Sequence, residues 1–159
     1  MNAQNSSKDL EGLLVVTVEQ AVAAPYTSCR LADAGARVIK IERPEGDFAR
    51  NYDSNALGNS AYFVWLNRGK ESIALDLKNK EDMVIFENII SKSDILIQNL
   101  APGAFERLGL DLKELRLKYP ALITCSISGF GDDGPYKKQK AYDMLIQAET
   151  GVIDITGLP

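Results

Sequence analysis

Apolar residues recur along this chain in two rhythms. Short runs rich in β-branched or apolar residues occur at Leu13–Val18, Arg37–Ile41, Ser72–Leu77, Asp94–Gln98 and Ala121–Ile127, and the first is continuous, as strands covered on both faces are. Between them the spacing is helical. Pro25–Ala34 has proline in its first turn and Gly35 as a stop, and Lys80–Lys92 follows the cap Asn79, with Met83, Phe86 and Ile90 on one face. A shorter helix starts near Pro102 and stops at Gly109. Another starts at the cap Asp111, has Glu114 three residues on as in a capping box, and ends at Pro120. Strands alternating with helices predict right-handed βαβ units and an α/β fold: a parallel sheet with helices on both faces. Residues 1–9 are polar and read as a disordered tail, and residues 10–159 read as one α/β unit without repeat or interior linker.

Composition narrows the chemistry. With 159 residues, 45% of them hydrophobic, the chain is long enough to bury roughly 70% of its unfolded surface. A net charge of −4 argues against nucleic-acid binding, which needs a basic face. No apolar stretch approaches the roughly 20 residues of a membrane span, so the expected location is cytoplasmic. The two cysteines, Cys29 and Cys125, read as free and structural. Histidine is absent, which removes Ser-His-Asp and Cys-His nucleophile systems and histidine metal sites, so no metal site is expected.

In a Rossmann-like sheet the loops that leave the strands are where ligands bind. Arg43 follows the second strand and is the leading candidate. Gly129–Gly134 is formally a G-x-G-x-x-G run directly after the fifth strand, but Asp132 and Asp133 bring two negative charges and Pro135 follows. Such a loop would repel a pyrophosphate and opens no helix for it, so it reads as a turn and not as a dinucleotide site. Asp143 reads as a helix cap and Asp154 as a turn former.

Five segments, Ala32–Pro44, Asn67–Lys70, Gln98–Ala104, Ser126–Pro135 and Ala141–Asp143, resemble the class III (CaiB/BaiF, formyl-CoA transferase-like) coenzyme A transferases in order and approximate spacing. The resemblance covers nearly the whole chain and implies the N-terminal half of that fold. It also implies a function: moving coenzyme A between an acyl-CoA and a carboxylic acid, with both as substrates and no prosthetic group. By family position Arg43 meets the nucleotide end of coenzyme A, Lys70 and Arg107 supply further positive charge, and Leu66, Asn67, Asn99 and Phe130 lie along the ligand path. Val22 and Ser128 stand where formyl-CoA transferase has a glutamine and a lysine, which argues against oxalate and formate, and the segments Glu19–Pro25 and Gly46–Asp53 look more like members handling small dicarboxylic acids such as itaconate or mesaconate. Tyr142 stands where the racemase branch has its histidine.

The resemblance further implies an aspartate that carries the acyl group and then coenzyme A, and places it shortly after the segment matching Thr156–Pro159. No catalytic residue is therefore expected within the chain, which alone is expected to be inactive. The full-length family forms interlocked homodimers, so a homodimer or a second chain completing the site is expected. Val152, Ile153 and Ile155 would then be left exposed and favour self-association. The alternative is a non-catalytic nucleotide-binding or interaction remnant.

Overall fold

The structure, a computed structural model, describes residues 8–157. Five strands form one parallel sheet in the order β3-β2-β1-β4-β5: β1 Leu14–Val18, β2 Arg37–Glu42, β3 Lys70–Ala74, β4 Ile95–Gln98 and β5 Ile123–Ser126. The chain grows outward from β1 through β2 to β3, then returns to lay β4 on the other side of β1. The strand order therefore reverses between β1 and β4, and at such a point diverging loops open a crevice beyond the carboxyl ends of the strands.

Side chains alternate across the sheet. Val16 and Val18, with Leu96 of β4 and Ile41 of β2, face a core closed by Phe86 and Ile90 of α3 (Lys80–Ile90), Phe105 of α4 (Ala104–Arg107) and Leu115 of α5 (Leu112–Lys118). Val15, Val38 and Ile97 face the opposite way, against Ala24 of α1 (Ala23–Asp33). The helix ends follow local chemistry. Asn79 accepts from the Glu81 N–H at 2.8 Å, and Asp111 accepts from the N–H groups of Lys113 and Glu114. Gly35 takes φ +105° after α1, a conformation costly for any residue with a Cβ.

Two departures from the sequence reading matter for the site. The third strand starts two residues earlier than predicted and ends at Ala74, with Leu75 and Leu77 buried beyond it. Its partner β2 turns away at the Arg43–Gly46 turn, closed by a 2.8 Å bond from Gly46 N–H to the Arg43 carbonyl, so Leu75 donates the last bond to Glu42 and pairing stops. The apolar run Ala61–Asn67 is helix α2, which the strand-and-helix pattern did not announce. Ser60 caps it by accepting from Phe63 N–H, and Leu66 is its one buried residue.

Of the predicted tail, residues 1–7 lie outside the described residues, while Leu10 N–H donates to the Ala34 carbonyl at 3.0 Å and ties the entry of β1 to the end of α1. At the other end α6 (Asp143–Glu149) and α7 (Val152–Ile155) bury no side chain, and Val152, Ile153 and Ile155 are exposed. Among the described residues no helix is long and apolar enough to cross a membrane.

Candidate active-site cleft

A cleft of about 720 Å³ opens at the carboxyl ends of the strands. Four segments line it: Val18–Gln20 after β1, Ile41–Asp47 after β2, Leu75–Lys78 after β3, and Ala104, Arg107 and Leu108 from α4. Three cations, Arg43, Lys78 and Arg107, come to it from three different segments. Among the described residues none of the three is paired with a carboxylate. Arg43 Nε donates to the Gly46 carbonyl at 3.1 Å, which orients its guanidinium without neutralising it. Gly103, at φ +72°, starts α4, and a Cβ there would lie 2.9 Å from an Arg107 nitrogen, so glycine gives that guanidinium room.

Beneath the cleft lies a buried polar network on the α1 side of the sheet. Lys40 Nζ donates to Asp47 at 2.7 Å and to Asn67 Oδ1 at 2.9 Å, and stands 4.0 Å from Glu19. Lys70 Nζ donates to Glu19 at 2.8 Å, to the Pro25 carbonyl at 2.9 Å and to Asn67 at 3.0 Å. The side chains of Lys40, Lys70, Glu19 and Asp47 are each 2% exposed or less. Two cations thus face two anions, and Ser28 adds a hydroxyl donor to Glu19. Buried charges persist only when paired and hydrogen-bonded in this way. Burial lowers the Lys70 ammonium from its ordinary value, against the pull of Glu19. At the edge of the network burial would raise the Glu42 carboxyl, but hydrogen bonds from Arg50, Ser72 and the Asp47 N–H outweigh it and hold the group at about 2.

The turn that leaves β1 is strained and held from two sides. Ala21 has φ +64°, a left-handed conformation that costs a residue with a Cβ on the order of 1 kcal/mol. Asn99, after β4, accepts from Gln20 N–H and donates to the Gln20 carbonyl, both at 2.8 Å. Asp47 accepts from Ala21 N–H at 3.2 Å.

Of the residues singled out in the sequence, the cleft brings together Arg43 and Arg107. Lys70 and Asn67 lie in the network under it, and Lys70 spends its three donors there. Asn99 spends its amide on Gln20. Leu66 is fully buried, and Val22 is exposed at the start of α1. Ser128 and Phe130 line another loop, where Ser128 accepts from Gly131 N–H at 3.0 Å and Phe130 packs against Tyr136. The third cation of the cleft, Lys78, was missed. The signal was its place directly after the third apolar run, hidden by drawing that strand too far. Among the described residues no group of three or more Cys, Asp or Glu is placed to hold a metal ion.

The parallel sheet with its reversal point, and the cleft that opens there, define an α/β protein with its candidate site outside the strand ends. A sequence profile of CoA-transferase family III matches residues 10–159, and the chain belongs to that family. It is 43% identical over 150 residues to the acetyl-CoA:oxalate CoA-transferase of Acetobacter aceti, covering 94% of this chain and 39% of that one. It is 34% identical over 155 residues to the succinyl-CoA:glutarate CoA-transferase of Homo sapiens, covering 96% and 35%. Among solved structures, a CaiB/BaiF family protein from Brucella suis superposes with a TM-score of 0.88 at 39% identity, covering 96% of this chain and 42% of that one. The chain spans about two fifths of the length of the curated relatives it matches.

Proposed function

We propose that this chain forms the coenzyme A-binding α/β portion of a transferase that moves coenzyme A between an acyl-CoA and a carboxylic acid. The observation that carries this reading is the convergence of Arg43, Lys78 and Arg107, unpaired with carboxylates among the described residues, on a cleft at the reversal point of the sheet. Coenzyme A carries a 3′-phosphate and a pyrophosphate, and cations held apart on separate loops suit that distributed charge. The uncharged part of the ligand then runs over Leu75, Leu77 and Leu108 towards the Gln20 turn.

In such an exchange a carboxylate attacks the thioester carbonyl, expelling the coenzyme A thiolate and forming an anhydride. The thiolate then attacks the protein's own carbonyl in that anhydride, releasing the donor acid and leaving a thioester on the protein. The acceptor carboxylate attacks this thioester to form a second anhydride, and the expelled thiolate takes the acceptor acyl group, freeing the protein's carboxylate. Of the five acids that line the cleft, Glu19, Glu42 and Asp47 are engaged by Lys70, Arg50 and Lys40, which leaves them unsuited to that attack, and by family position the covalent aspartate is none of the five. The covalent carboxylate is read as coming from outside this cleft, in a homodimer or with a second chain completing the site. The acceptor class is read as small dicarboxylic acids, in keeping with relatives named for glutarate and mesaconate.

Arg43→Ala is expected to weaken coenzyme A binding by about tenfold to a hundredfold, the worth of one charged hydrogen-bond partner of a phosphate. Calorimetric titration of parent and variant checks this, and equal affinities would reject the assignment of Arg43.

A further inference from the structure

Gly46 and Asp47 line the cleft, and Asp47 also reaches the network beneath it. We propose that Asp47 is a positioning residue, which fixes the uncharged wall of the cleft through Ala21; this rests on the coenzyme A reading above. Its carboxylate is fully buried, and each oxygen has a separate task. Oδ2 accepts from Lys40 Nζ at 2.7 Å, which anchors the group to the middle of β2. Oδ1 accepts from Ala49 N–H at 2.9 Å and from Ala21 N–H at 3.2 Å. The Asp47 backbone is fastened in turn, its N–H donating to Glu42 at 3.0 Å.

Ala21 is where this clamp has an effect. The residue holds φ +64°, which alanine leaves readily unless something retains it. Asn99 fixes the Gln20 peptide from the β4 side, and Asp47 fixes the Ala21 N–H from the β2 side. The two clamps meet on one turn at the β1 end, between the strands where the order reverses. On the β1 segment Glu19 is buried against Lys70 and Gln20 is uncharged, whereas Arg43, Lys78 and Arg107 stand on the other three segments. With its peptide groups held by Asn99 and Asp47, the turn presents the uncharged side-chain amide of Gln20 to the cleft, which suits the amide-bearing arm of coenzyme A and not its phosphates. The Arg43 turn closes on its own 2.8 Å bond from Gly46 N–H, so it does not depend on Ala21.

Two variants separate positioning from general stability. Asp47→Asn removes the anion opposite Lys40 and sets an amide between donors that both need an acceptor. Ala21→Pro deletes the N–H and bars positive φ while leaving the Lys40–Asp47 pair intact, so it decides the matter if Asp47→Asn does not fold. Each would be titrated with coenzyme A and with adenosine 3′,5′-bisphosphate, which has the 3′-phosphate and the first 5′-phosphate but no arm. The expected result is at least a tenfold loss of coenzyme A affinity, with the bisphosphate held within twofold of the parent. Equal losses for both ligands, or no loss in a folded Ala21→Pro variant, would overturn the role of Asp47. A parent that binds neither ligand would overturn the reading of the cleft on which it rests.

Discussion

Replacing Glu19 by alanine is expected to cost about 3–5 kcal/mol of folding stability, the range for removing one partner of a buried ion pair. Glu19 is the anion closest to Lys70, at 2.8 Å, and stands 4.0 Å from Lys40, so its loss leaves two ammonium groups facing Asp47 alone in a dry interior. Ser28 loses its carboxylate acceptor as well and keeps only the Pro25 carbonyl at 3.2 Å. Against the roughly 5–15 kcal/mol that holds a domain together, this is a large fraction. Lowering the positive charge should recover part of it: in Glu19→Leu/Lys70→Met two apolar side chains of similar bulk replace the pair, and such exchanges are often neutral or stabilising. Urea unfolding of the three proteins measures both effects. A loss below about 1 kcal/mol in Glu19→Ala would show that water reaches the pair and that the network is not buried in solution.

The second large effect concerns the ligand. The combined Arg43→Ala, Lys78→Ala and Arg107→Ala variant is expected to lose coenzyme A binding by about a thousandfold, since hydrogen bonds to charged groups contribute at least about 1.5 kcal/mol each. Its melting temperature should stay near that of the parent, because Arg43 and Arg107 are exposed and none of the three joins an ion pair among the described residues. The parent's affinity should also fall as salt rises, because exposed cations on phosphates are screened. Full binding by the triple variant would place the ligand elsewhere on the chain.

Much of this architecture was legible because strand and helix periods are local properties. The Val15–Val18 run, the Phe86 and Ile90 face and the Asn79 and Asp111 caps each announced an element that the structure contains. Family position also led to Arg43 and Arg107. What could not be read is which cations point outward. Lys40 lies between Ile39 and Ile41 and Lys70 opens a strand before Glu71, and only the sheet order, which sets Lys70 beside Val38 and Lys40 beside Ser72, shows that both turn under α1 towards Glu19. A lysine in a strand looks the same whether it is solvated or paired with an acid 51 residues away. Lys78 was hidden for the complementary reason: the end of β3 is set by where β2 turns off at Arg43, a tertiary event with no mark in the local pattern. Helix α2 escaped because two of its three aromatic residues, Tyr62 and Trp65, face outward and leave no amphipathic stripe.

Hydrogen exchange of the unmodified chain, with and without saturating coenzyme A, tests the central claim most directly, because it reports where on the backbone the ligand acts. The expected result is slowed exchange at Gln20–Ala21, Arg43–Asp47, Leu75–Lys78 and Ala104–Leu108, the four segments that meet at the reversal point, with the Gly129–Gly134 loop unchanged. Protection confined to that glycine-rich loop, or no protection anywhere at saturating ligand, would contradict the assignment of this cleft to coenzyme A.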